Sequence, residues 1–165
     1  MIAVGILTMS DKGSRGERED LSGKELEKMI MTLPAEVKAY EIIPDETSII
    51  KAKLIEYSDK LRLDLVLTTG GTGVTPRDVT PEATRSVIER ELPGMSEAMR
   101  AESLKKTPNA MISRAVCGIR GQTLIINLPG SPRAVRENLA VIMPALCHTI
   151  EKIKGSTTEC ATPQP

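Results

Sequence analysis

The chain has 165 residues, with 22 Lys+Arg against 22 Asp+Glu and 40% hydrophobic and 27% charged residues, which is enough for one domain with a real core and is ordinary for a soluble globular protein. The balanced charge excludes a global pull toward nucleic acid or an anionic membrane surface. Two Tyr, no Phe and no Trp also leave no aromatic platform for stacking single-stranded bases.

In chain order, "IAVGILTM" (2–9) reads as a strand buried on both faces, as in a parallel sheet. The N-terminus is too short for a membrane span and lacks a signal-peptide layout. A polar loop follows, then a helix from Lys24 to Met31. "VKAYEII" (37–43) is a second strand, ended by Pro44. Thr47 or Ser48 can cap a helix carrying Ile49, Ile50, Leu54 and Ile55. "LDLVLTT" (63–69) is the third strand and runs directly into "GGTG" (70–73).

Thr80-Pro81-Glu82 has the makings of a helix start, with a capping hydroxyl, a proline at the first helical position and an acid in the first turn; that helix is expected to reach Arg90. Another spans Ser96 to Lys105. "SRAVCGIRGQTLIINLPG" (113–130) reads as two strands around an Arg120-Gly121 turn. Pro132 opens a helix that Pro144 either kinks or divides. Residues 155–165 look like a frayed tail after a single domain over 1–154. The order predicts an α/β fold, a three-layer sandwich with a mostly parallel sheet and one antiparallel hairpin.

Ligands of such folds sit beyond the carboxyl ends of the strands. Three polar loops fall there, 10–23, 70–80 and 127–133, and Asp45 follows the second strand. The glycine loop fits neither standard phosphate motif. Six residues after Gly70, Gly71 and Gly73 stand Pro76, Arg77 and Val79, with no lysine, and three after Gly73 stands Pro76 instead of glycine. Gly70, Gly71 and Gly73 still permit positive φ and close approach to backbone N–H groups, and consecutive N–H donors cradle an anion. A tight connection packed on its own sheet is the plainer alternative.

Asp78 runs against simple anion binding. It makes sense if Mg²⁺ bridges it to phosphate; otherwise it is a loop aspartate that bonds a backbone N–H or pairs with Arg77. Asp45 has the competing role of helix N-terminal charge. Gly130, Ser131 and Arg133 offer an anion site at a helix start, although Ser131 is equally an N-cap. Lys12, Arg15 and Arg18 are either anion contacts or a solvated loop. Cys117, Cys147 and Cys160 form no CxxC pair and read as reduced thiols of a cytoplasmic protein. His148, the only histidine, rules out a multi-histidine metal site.

The strings "SDKG" with Gly16, Asp20 and Gly23, "IPDE" (43–46), "LTTGGTG" with "PRDVTPEAT" (67–84), "SRAVCGIRG" (113–121) and "LIINLPGSP" (124–132) together resemble the molybdenum-cofactor biosynthesis family typified by MogA and the gephyrin G domain. The resemblance extends to about residue 154. It implies a homotrimer that adenylylates molybdopterin from ATP with Mg²⁺, releases pyrophosphate and passes the product to a separate molybdenum-inserting enzyme. It places the catalytic and metal-binding acids at Asp45 and Asp78, and the nucleotide at Gly70, Gly71, Thr72 and Gly73 with Ser10 and Asp11. The pterin falls to Ser113, Asn127, Pro129, Gly130 and Ser131. Retention of "PDE", "RDVTPEAT" and "INLPGSP" favours the MogA branch over the sister MoaB branch, and a non-catalytic scaffold of the same fold is the competing reading.

Overall fold

The computed structural model describes residues 1–157; Cys160 and most of the expected tail lie outside the described residues. Six strands form one sheet: β1 (Ile2–Met9), β2 (Ala35–Ile43), β3 (Leu65–Thr69), β4 (Arg90–Glu91), β5 (Cys117–Arg120) and β6 (Thr123–Leu128), in the order β2-β1-β3-β6-β5-β4. The first four strands of that order run parallel, while the β6–β5 and β5–β4 pairs are antiparallel.

Strand alternation sends successive side chains to opposite faces, which yields two cores. Val4, Ile6, Leu65, Leu67, Leu124 and Ile126 face one helical layer: α2 (Leu21–Ile30), α5 (Pro93–Leu104) and α6 (Pro132–Ile153). Leu7, Met9, Val66 and Ile125 face the other, made by α3 (Thr47–Ile55), its π-helical extension Glu56–Lys60, and α4 (Thr80–Arg85). The short α1 (Asp11–Ser14) follows β1. Gly5 sits where the Tyr57 ring lies on β1, and a Cβ there would come within 2.5 Å of that ring.

Several element limits differ from the sequence reading. α2 starts at Leu21 because Asp20 caps it, accepting from the Gly23 N–H at 2.9 Å. The cap of α3 is Glu46, without a side-chain bond, and neither Thr47 nor Ser48 serves. α4 stops at Arg85, and the chain turns back to pair with β5, Glu89 N–H donating to the Ile119 carbonyl and Leu92 N–H to that of Cys117, each at 2.8 Å. The expected helix to Arg90 thus gives way to an edge strand that local propensity does not announce. Pro144 lies exposed inside a continuous α6. Among the described residues no helix is long and apolar enough to cross a membrane, and Cys117 and Cys147 carry no disulfide.

Candidate active site

The glycine loop leaves β3 with two left-handed residues, Gly70 at φ 95° and Gly71 at φ 66°, a region that L side chains avoid. Gly73 does not share that conformation. What it supplies is room, since a Cβ there would stand 2.9 Å from Asp78 Oδ2. The Gly70 N–H is spent on the Leu128 carbonyl at 3.2 Å, so it is withdrawn from the expected anion cradle. Among the described residues, the N–H groups of Gly71, Thr72 and Gly73 donate to no protein acceptor. Thr80 does not cap α4. Its hydroxyl donates to the Gly70 carbonyl at 3.0 Å and its N–H to the Gly71 carbonyl at 3.2 Å, so it fastens the loop from below.

Asp78 Oδ2 accepts from both the N–H and the hydroxyl of Thr75 at 2.8 Å, closing a tight turn in the loop and leaving Oδ1 with no donor among the described residues. Its neighbour Arg77 does not pair with it. The Arg77 guanidinium reaches Asp11 at 2.9 and 3.0 Å and Glu46 at 2.9 Å. That contact holds the Asp11 carboxyl below the usual carboxylate range, aided by the Asp45 N–H. Asp45 Oδ2 accepts from the Asp11 N–H at 3.1 Å, so its carboxylate faces the loop after β1 instead of capping α3. Burial pushes the Asp45 carboxyl above its ordinary range, and the Asp11 and Asp78 charges add to this, against the Asp11 N–H and Arg77.

Two cavities meet along this loop. The larger, about 780 Å³, is lined by Ser10, Asp11, Asp45, Gly70 and Thr75, among others. The smaller, about 430 Å³, is lined by Thr72, Gly73, Arg100, Asn109, Ser113 and Pro129, among others. Gly71, Asp78, Gly130 and Ser131 line both. The β6–α6 loop reaches the glycine loop directly, a Cβ on Gly130 standing 3.4 Å from Gly70 Cα. Ser131 caps α6 through the Ala134 N–H at 3.1 Å, as Ser10 caps α1 through the Gly13 N–H at 2.9 Å. Lys12 and Arg18 line the larger cavity, whereas Arg15 is engaged by Glu17.

Asn127 departs from expectation. It is fully buried, donating to the Thr68 and Thr84 hydroxyls at 3.0 Å each and accepting from the Val116 N–H at 3.1 Å. It lines neither cavity and supports the floor beneath them. Arg114, inside the "SRAVCG" string, carries no local signal of its role. Its Nε donates to the Gly73 carbonyl at 2.6 Å, its Nη2 to the Asp78 carbonyl at 2.8 Å, and its N–H to the Thr72 carbonyl at 2.9 Å, while Glu82 pairs with Nη1. Arg100 donates to the Ala115 carbonyl at 3.0 Å, and a helix arginine carries no local signal that it will turn inward.

Among the described residues, no three His, Cys, Asp or Glu side chains gather to cage a metal ion. The donor set still fits Mg²⁺, which commonly takes one or two carboxylates and completes its octahedron with water and substrate phosphates. Asp45 and Asp78 both line the larger cavity, and each keeps Oδ1 outside any hydrogen bond among the described residues.

Residues 5–148 match the family model described as "Probable molybdopterin binding domain". The molybdopterin adenylyltransferase of Helicobacter pylori J99 is 46% identical over 158 residues, spanning 94% of this chain and 89% of that protein. The Escherichia coli K12 molybdopterin adenylyltransferase is 44% identical over 147 residues, 87% of this chain and 75% of that one. Among solved structures, the molybdopterin biosynthesis enzyme MoaB of Thermus thermophilus superposes with a TM-score of 0.90 at 50% identity, covering 96% of this chain and 100% of that one. A MogA structure gives 0.87 at 34% identity, with 92% and 99% covered. The likeness thus runs to both branch names and does not separate MogA from MoaB.

Proposed function

The chain belongs to the molybdenum-cofactor-biosynthesis family of probable molybdopterin binding domains, and from that premise we propose that it is a molybdopterin adenylyltransferase whose two substrates occupy the two cavities. The carrying observation is the shared wall: Asp78, Gly71, Gly130 and Ser131 line both cavities, so a group in one is presented to a group in the other. Close relatives bear that enzyme's name at 44% and 46% identity.

In this reading ATP lies in the larger cavity and the pterin in the smaller. A terminal phosphate oxygen of molybdopterin forms a bond to the α-phosphorus of ATP while the α–β P–O bond breaks and pyrophosphate leaves. Such transfer needs alignment and charge neutralisation more than covalent chemistry. The free N–H groups of Gly71, Thr72 and Gly73 receive phosphate oxygens, and those at the start of α6 add the positive end of a 22-residue helix. Asp45 and Asp78 would hold Mg²⁺, which would supply charge neutralisation for the phosphate chemistry. Arg77 fixes Asp11 and Glu46, which keeps the loop after β1 against Asp45. Ser113 and Pro129, on the smaller cavity, contact the pterin side.

The remaining expectations complete the proposal: a cytoplasmic homotrimer that hands its product to a separate molybdenum-inserting enzyme. The test is direct. Protein, molybdopterin, ATP and Mg²⁺ are mixed, and pyrophosphate and adenylylated pterin are measured. No product under conditions where an established adenylyltransferase turns over replaces this reading with a non-catalytic binding scaffold.

A further inference from the structure

At the opposite end of the sheet, a cavity of about 250 Å³ is lined by Ser58, Asp59, Arg62, Leu63, Asp64, Gln122 and Thr123. It lies where the chain enters β3 and β6, and Asp64 is six residues before Gly70, about 20 Å at strand rise. It therefore shares no wall with the two cavities above.

Three observations distinguish it. Ser58 is 8% exposed, and its Oγ is the one buried side-chain polar atom of the described residues without a hydrogen-bond partner. Burying a hydroxyl unpaired costs about 1–3 kcal/mol, and the cavity is where a solvent or solute oxygen can meet Ser58. Arg62 is the one described non-glycine residue with positive φ, at 50°, and it makes no ion pair among the described residues. The two acids are already matched: Asp59 by Arg120 at 2.6 Å and Asp64 by Lys154 at 2.6 Å. Arg62, exposed at the rim, is the one cation of the lining, and the cations that match the two lining acids, Arg120 and Lys154, stand outside it.

We propose that this cavity is a second binding site, for a small oxyanion of phosphate or carboxylate type, taken by the Ser58 hydroxyl and the Arg62 guanidinium. The chemistry follows from the donors: a hydroxyl and a planar fork suit oxygen acceptors, while Arg120 and Lys154 offset the charge of the two lining acids. The size also decides. Cavities for drug-sized ligands run from about 300 to 1,000 Å³, so this one takes something smaller than a nucleotide or a pterin.

Inorganic phosphate, and in a second arm acetate, is titrated into isotope-labelled protein at constant ionic strength while amide shifts are followed. Saturable shifts at Ser58, Arg62, Leu63 and Gln122 are expected with at least one of the two, and the tighter of the two identifies the class of anion. Arg62→Asn tolerates positive φ and should weaken binding at least tenfold without unfolding the chain. Ser58→Ala, which removes an unpaired hydroxyl, should weaken it severalfold and leave the chain as stable or more so. Shifts confined to Gly71–Gly73 and Gly130–Ser131 overturn the proposal, because anions then bind the other end alone. Equal binding by Arg62→Asn overturns it as well, leaving Ser58 satisfied by solvent only.

Discussion

Asp11 and Asp45 exchange hydrogen bonds: the Asp11 N–H donates to Asp45 Oδ2 at 3.1 Å, and the Asp45 N–H donates to Asp11 Oδ1 at 3.0 Å. The pair ties the loop after β1 to the loop after β2 and turns Asp45 into the larger cavity. Asp45→Asn keeps an acceptor for the Asp11 N–H but loses the charge. Adenylyl transfer should fall about 10²-fold or more, the scale of removing one transition-state contact, with the melting temperature nearly unchanged. Asp78→Asn should lose as much. Wild-type turnover in either variant removes that residue from the mechanism.

Gly73→Ala separates room from backbone freedom. The backbone at Gly73 lies outside the positive-φ region, so alanine brings little backbone strain, but its Cβ would press on Asp78 Oδ2 from 2.9 Å. Turnover should drop about tenfold or more for a displacement of this kind while stability holds. Gly71→Ala, at φ 66°, should destabilise instead. Calorimetry and turnover on both variants distinguish the two effects.

Arg114→Met removes the bonds that hold the Gly73 and Asp78 carbonyls. The loss should cost about 1–3 kcal/mol of stability and lower kcat more than it raises KM, because the loop positions Asp78. Denaturant unfolding with steady-state kinetics tests this. An unchanged kcat would reduce Arg114 to a surface ion pair with Glu82.

The acid limb depends on Asp11 and Arg77. Because Arg77 lowers the Asp11 carboxyl in the fold, the ionised form is favoured there. Its contribution to stability is full above the unfolded value of about 3.9 and is lost as pH falls through the lowered folded value. Arg77→Gln should therefore raise the Asp11 titration midpoint toward that ordinary value. Carboxyl-carbon NMR measures it directly, and an unmoved midpoint contradicts the pairing.

Asn127→Ala should strip partners from the Thr68 and Thr84 hydroxyls and the Val116 N–H. At about 1–3 kcal/mol per buried group left unpaired, the unfolding midpoint should fall sharply. The affinity for molybdopterin of the chain that remains folded should change little, since Asn127 touches neither cavity.

The apolar runs that become β1, β3 and β6, the element order that makes the sheet mostly parallel, and the glycine and acid positions beyond the strand ends are all legible along the chain. Those features follow from side-chain period and local backbone preference, which a chain carries wherever it goes. The sequence leaves Asp78 between metal contact and loop fastener, and the fold shows one carboxylate oxygen fastening Thr75 while the other is unspent. Folding settles that α4 yields to an edge strand, that Thr80 holds Gly70, and that Gly73 makes room for Asp78. It likewise settles that Arg77 serves Asp11 and Arg114 clamps the loop. The edge-strand pairing and the reach of Arg77 and Arg114 join segments distant in the chain, so their energy exists only once the sheet has assembled, while the Thr80 and Gly73 contacts lie within one loop whose path no local propensity fixes.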